Sequence, residues 1–206
     1  MKNLAITLKP LALSIALLAI FAVAQTSAHA DTVTFTTAGC FGAGCVPSLT
    51  STATGTNTAT VVFNGVSATV NTSTPSGFTF ADLAQFTVTG TGTFSATPFT
   101  LVVNQTAPTV GTGTFTGMLT GTLIVNGSDA VIVFDQTFLT IGNVRYDLVN
   151  LTNGNSLALD PNATGGITRL SAKISAAPVP EPATMLLLGT GLAGVAARAR
   201  KRRKVA

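Results

Sequence analysis

Phe99-Thr100-Leu101-Val102-Val103-Asn104 sets Phe99, Leu101 and Val103 against Thr100, Val102 and Asn104. A period of two places one set of side chains against a core and the other in water, as on a half-buried β-sheet. Leu170, Ala172 and Ile174 against Ser171, Lys173 and Ser175 repeat the pattern far along the chain. Working outward, runs at 32–37, 59–64, 66–72, 84–89, 112–116, 119–126, 130–135 and 144–149 read the same way, and with 99–104 and 167–175 they are the candidate strands. No window between them carries the 3.6-residue apolar spacing of an amphipathic helix. Of the 147 residues from 31 to 177, 32 are Thr and eleven are Phe, types that sit well on a pleated surface.

Asn64-Gly65 and Asn126-Gly127 each lie between alternating runs and predict tight two-residue hairpin turns, because both residue types tolerate positive φ. Val131-Ile132-Val133-Phe134, apolar at successive positions, predicts a central strand covered on both faces. The low-complexity stretch 48–57 reads as a loop, and 175–180, with two prolines in three residues, as a linker. Gly90-Thr91-Gly92-Thr93-Phe94 returns as Gly111-Thr112-Gly113-Thr114-Phe115, but two copies fall short of a repeat array. The expected fold is all-β: a single antiparallel β-sandwich over 31–177, flanked by an N-terminal signal-peptide helix and a C-terminal apolar helix.

The formal net charge of +4 misleads. Eight of the eleven Lys and Arg residues lie outside 31–177, where only Arg145, Arg169 and Lys173 face Asp31, Asp82, Asp129, Asp135, Asp147 and Asp160, a net of 3 − 6 = −3. Nothing basic remains on the body to neutralise phosphates, so no nucleic-acid partner is expected.

The ends carry different information. Met1-Lys2-Asn3, Lys9, the apolar run from Leu11 to Ala24 and the small residues Ala28 and Ala30 form a secretory signal peptide over 1–30, with signal peptidase as partner and cleavage expected after Ala30. An exported chain meets an oxidising compartment, so Cys40 and Cys45, the only cysteines, are expected to form a local disulfide that pins a turn.

Cleavage also removes His29, the only histidine, and Glu181 is the only glutamate. Neither a Ser-His-Asp nor a Cys-His system can then be assembled. A pair of aspartates such as Asp129 and Asp135 is the remaining hydrolytic option, and the lack of Trp, with Tyr146 the only Tyr, argues against an aromatic platform for sugar rings. The chain is expected not to be an enzyme and to need no cofactor or metal. A weaker calcium candidate is the oxygen-rich stretch with Asn153, Asn155, Asp160 and Asn162, which would make the body a calcium-assisted carbohydrate-binding or adhesin-like module.

At the far end, residues 183–197 are apolar or small apart from two Thr, followed by Arg198, Arg200, Lys201, Arg202, Arg203 and Lys204. As a helix, the run reaches about 22 Å against a bilayer core of about 30 Å. It is a marginal transmembrane helix, and the basic cluster holds its end at the cytoplasmic face. Val179-Pro180-Glu181-Pro182, then Leu186 to Val195, then the basic cluster, resembles the PEP-CTERM sorting signal.

That resemblance covers 178–206. It implies a Gram-negative source, recognition by an exosortase, a membrane cysteine-type transpeptidase, and cleavage near Pro180-Glu181-Pro182. It further implies a cell-surface or extracellular-matrix protein associated with exopolysaccharide or biofilm. Pro180, Glu181 and Pro182 would be the recognition element, Gly189, Gly191 and Gly194 a small-residue helix face, and the cations from Arg198 to Lys204 the retention charge. The body resembles Thr/Gly-rich β domains found ahead of such signals.

Overall fold

The structure, a computed structural model, describes residues 32–124, 127–160, 166–177, 189 and 191–193. His29–Pro178 makes one compact unit. Its strands are β1 (Thr32–Phe41), β2 (Thr50–Thr54), β3 (Thr60–Gly65), β4 (Ser67–Asn71), β5 (Phe78–Thr89), β6 (Gly92–Ala107), β7 (Gly111–Ile124), β8 (Gly127–Ser128), β9 (Val131–Phe134), β10 (Phe138–Ile141), β11 (Val144–Val149), β12 (Ser156–Ala158) and β13 (Ile167–Ala176). They form two antiparallel sheets, one of seven strands in the order β12-β9-β7-β6-β1-β4 with β8 on β7, the other in the order β10-β11-β13-β5-β3-β2. This is the all-β sandwich expected from the alternation.

The alternating residues do as their period dictates. Phe99, Leu101 and Val103 of β6 are buried, as are Leu170, Ala172 and Ile174 of β13, and the two sets line the inner faces of opposite sheets. Phe99 lies at the centre of the core. Its ring is 5.9 Å from Phe63, 5.6 Å from Phe86, 6.3 Å from Phe134 and 4.9 Å from Phe41, mostly in edge or tilted geometries that aromatic quadrupoles favour.

A buried hydroxyl ties the sheets together. Thr37 of β1 occupies an inward position, and its Oγ1 donates to the Leu83 carbonyl of β5 at 2.7 Å while accepting from the Val66 amide at 2.8 Å. Leu83 can offer that carbonyl because the β5–β13 ladder slips there: Leu170 pairs with Ala84 but Ser171 with Asp82. One extra residue on β5 is a β-bulge, and it puts both Leu83 and Ala84 into the core.

The same corner overturns the hairpin expected at Asn64-Gly65. β3 lies in the six-stranded sheet and β4 in the other, so the chain crosses between sheets here instead of folding back. Thr37 pairs its backbone with Val66, its amide donating to the Val66 carbonyl at 2.8 Å, and Gly65 donates to the Leu49 carbonyl at 2.7 Å. A Cβ at Gly65 would lie 2.3 Å from the Thr37 carbonyl oxygen, so the glycine serves this close crossing rather than a tight turn. Long-range pairing has overridden the local turn preference.

Other expectations shift for related reasons. At the second predicted turn Ile124 pairs with Gly127, making Gly127 a strand residue, while Asn126 is outside the described residues. Val131–Phe134 is next to the sheet edge rather than central: Ile132 and Phe134 are buried and Val131 and Val133 only half-buried. The predicted loop 48–57 contains β2, an edge strand with Ala53 turned into the core. The predicted linker loses Ser175 and Ala176 to β13, and residues 178–180 lie outside the described residues. The runs at 112–116 and 119–126 are one strand, β7, with Gly117 inside it. The two Gly-Thr-Gly-Thr-Phe copies enter β6 and β7 from opposite ends of one antiparallel pair, so they are not structural repeats.

Candidate functional site

Most residues of the two terminal signals lie outside the described residues: Ala28 and Ala30 at the leader end, and Val179, Pro180, Glu181, Pro182, Gly194, Arg198, Arg200, Lys201, Arg202, Arg203 and Lys204 in the tail. Gly189 and Gly191 are described and helical. Among the described residues no helix is long and apolar enough to cross a membrane, and most of the expected span 183–197 is outside them.

The body's own geometry shows where its two ends lie. β13 ends at Ala176 opposite Val144. The Ala177 amide then donates to the Asn143 carbonyl at 2.8 Å, and Asn143 Nδ2 donates back to the Ala177 carbonyl at 3.3 Å. Thr32, the first described residue, pairs with Asn71, and the chain runs from there to Phe78, opposite Ser175. Entry and exit of the body therefore share one pole of the sandwich. Ala177, which makes these contacts, stands three residues before Pro180.

Cys40 and Cys45 form a disulfide at the end of β1, with Cys40 buried. The calcium candidates are mostly in use within the fold. Asn153 and Gly154 are a turn at positive φ, 51° and 85°. Asn155 Nδ2 donates to the Phe134 carbonyl at 2.9 Å, and its Oδ1 accepts from the Ser156 hydroxyl. The Asp160 amide donates to Thr168 Oγ1, and Asn162 lies outside the described residues. Among the described residues no three His, Cys, Asp or Glu gather as a metal site. Asp129 and Asp135 flank β9 at opposite ends, about 20 Å apart at about 3.3 Å per residue, and the Thr116 hydroxyl donates to Asp135 at 2.6 Å.

The outward face of the six-stranded sheet is where side-chain chemistry gathers. Cross-strand register sets Phe138, Asp147, Lys173 and Phe80 in one row and Thr140, Arg145, Ser175 and Phe78 in the next. Phe80 is 60% and Phe138 48% exposed. Arg145 lies over the Phe138 ring at 4.0 Å, and Lys173 Nζ is 4.6 Å from the Phe78 centroid. Arg145 also bonds Asp147 through Nη2 at 2.7 Å and Nε at 2.8 Å, a hydrogen bond that raises its pKa above the ordinary value. Alongside, Asp82 accepts from Arg169 at 2.8 Å and from the Ser171 hydroxyl at 2.7 Å. All three cations of the body lie on this face. The opposite sheet turns out Thr, as in Thr36, Asn104 and Thr112 in register, with no cation. Sequence reasoning discounted an aromatic surface because it looked for Trp and Tyr. Tyr146 is indeed buried, but Phe78-Thr79-Phe80 had the period-two signal.

Residues 178–203 match the family model of the PEP-CTERM protein-sorting motif. No curated protein and no solved structure matches the chain. A motif of this kind directs an exported protein to an exosortase and holds it transiently in the membrane by its C-terminus. The chain is thus an exosortase-targeted exported protein, with a PEP-CTERM sorting motif at 178–203 following an all-β body.

Proposed function

We propose that the working protein is the β body alone, delivered to the surface or extracellular matrix of a Gram-negative bacterium as a non-catalytic, biofilm- or exopolysaccharide-associated component. The observation that carries this reading is the sorting motif at 178–203, which begins one residue after Ala177, whose amide bonds the Asn143 carbonyl beyond the end of β13. Processing near Pro180-Glu181-Pro182 leaves every strand of the described residues intact. It also removes the six cations of the tail, and leader cleavage after Ala30 removes Lys2, Lys9 and His29. What remains is mildly acidic, uncharged over most of its surface and covered in Thr hydroxyls.

The absence of catalysis is supported by chemistry rather than by an empty site. Without an imidazole, and with its cysteines joined, the body cannot assemble a Ser-His-Asp or Cys-His nucleophile system. A glycosidase needs its carboxyls about 5 to 10 Å apart, closer than the ends of β9 bring Asp129 and Asp135. Asp82 and Asp147 are each bonded to an arginine.

Fractionating cells that express the wild type and Glu181→Ala tests the placement. Wild type is expected outside the membrane fraction and without its tail, whereas Glu181→Ala stays membrane-bound with the tail attached. Equal release of both chains would remove the basis of the proposal.

A further inference from the structure

We infer that the outward face of the six-stranded sheet, built on Phe78, Phe80, Phe138, Arg145 and Lys173, binds an acidic polysaccharide, a sugar polymer bearing carboxylates. The inference deepens the proposed matrix role and rests on it for the polymer to be within reach.

Two aromatic stations stand on this face. Phe78 and Phe80 are on β5 and Phe138 on β10, three strand spacings away, or about 14 Å. They are large and rigid, and nothing in the fold requires Phe80 and Phe138 to face solvent, since the core is already filled by other Phe side chains. A pyranose ring offers a face of C–H bonds that packs on such rings, while its rim of hydroxyls needs hydrogen-bond partners. Asp147 and Ser175 lie between the two stations, Thr140 ends the second row on β10 beside Phe138, and together they supply them.

Charge indicates which sugar. The face carries Arg145, Arg169 and Lys173 against Asp82 and Asp147, a net of 3 − 2 = +1, on a body whose total is −3. Among the described residues the ion pairs are Arg145 with Asp147 and Arg169 with Asp82. Lys173 belongs to neither and stands over Phe78, so its ammonium is the cation left over for an external carboxylate. Arg145, bonded to Asp147 through Nε and Nη2, keeps Nη1 for a second acceptor.

A second copy of the chain or a bilayer suits this face less well. Lys173 and Asp147 sit directly between Phe80 and Phe138 in one row, and a dry interface would have to strip both of water. The centres of protein interfaces are depleted in Lys, Asp and Ser, which here occupy the middle. A hydrated polymer leaves those charges partly solvated and still covers the rings.

The full exported chain is run in native gels containing polygalacturonate, dextran or polyglutamate, and its sedimentation is measured separately. Polygalacturonate is expected to retard the wild type, more strongly at low than at high salt, with dextran and polyglutamate having little effect. Phe80→Ala and Phe138→Ala should each weaken the retardation about tenfold, and Lys173→Gln should weaken it severalfold and flatten the salt dependence. Thr112→Val, on the outward face of the other sheet, should change nothing. Because Phe80 is mostly exposed, Phe80→Ala should melt with the wild type. The inference fails if polygalacturonate does not retard the wild type, if Phe80→Ala binds equally well, or if polyglutamate retards it equally. It also fails if the wild type is a dimer that Phe80→Ala dissolves. A protein found in the matrix that does not bind would sink this inference alone, and a binder that never leaves the membrane would sink the placement alone.

Discussion

Replacing Tyr146 with Phe removes one oxygen atom from the core of the sandwich. Tyr146 and Gln105 are both buried, and the phenol donates to Gln105 Oε1 at 2.8 Å. Gln105 Nε2 in turn donates to Thr109 at its carbonyl (2.8 Å) and hydroxyl (3.1 Å) and to the Ile141 carbonyl at 3.5 Å. One amide thus links β6 to β11 of the opposite sheet and to the turn that follows β6. Tyr146→Phe keeps the ring in its edge contact with Phe35 at 5.8 Å but leaves Oε1 buried without a donor, which costs about 1–3 kcal/mol. A titration signature separates this from a packing loss. Burial raises the Tyr146 pKa above its ordinary 10.0, so the folded chain holds the proton after the unfolded chain has released it. Wild-type stability from this group is complete below pH 10.0 and falls above it by up to about 1.4 kcal/mol per pH unit until the folded group also ionises. Urea unfolding followed by circular dichroism, near neutral pH and at a series of alkaline values, measures both effects. Tyr146→Phe should be less stable at neutral pH and lose less on going alkaline. Equal stability at neutral pH, or parallel alkaline losses in the two chains, would show that the Tyr146–Gln105 bond contributes nothing to the fold.

Thr37→Val keeps the side-chain shape but strands the Val66 amide and the Leu83 carbonyl, and should cost about 2–3 kcal/mol in the same urea experiment, with Thr37→Ser recovering most of it. Ala96 sits at φ 45° on an exposed bulge of β6 where the register slips between Phe94 and Thr97. Ala96→Gly relieves that strain and should raise stability by up to about 1 kcal/mol. Cys45→Ser opens the small loop and should cost about 2 kcal/mol. Its far-UV spectrum should match the wild type, because the remaining strands do not depend on the bridge.

The parts of the fold legible in the sequence are those where the period of two runs uninterrupted. β13 and the middle of β6 were found because Leu170 to Ile174 and Phe99 to Val103 alternate without a break. β5 was half missed because the bulge at Leu83 sends Leu83 and Ala84 inward together, so the pattern resets between Phe80 and Gln85. The start of β6, up to Pro98, is hidden by the slip at Ala96 in the same way. β2 has almost no apolar residue to mark it, since an edge strand over a core corner buries only Ala53. The Asn64-Gly65 turn failed because nothing local reveals that Thr37, nearly thirty residues earlier, pairs with Val66. The disulfide was legible from compartment and count, and the sorting motif because it is linear. The aromatic and cationic face was illegible for the opposite reason: its rows are assembled from β5, β10, β11 and β13, and only the register brings Phe80, Lys173, Asp147 and Phe138 together.

The intact mass of the protein recovered from outside the cell, read with its terminal peptides, shows whether both ends are processed. The expected chain starts at Asp31 and ends close to Pro180-Glu181-Pro182, with the cysteines bridged and the basic tail gone. A surface form that begins at Met1, or that still carries Arg198 to Lys204, would contradict it.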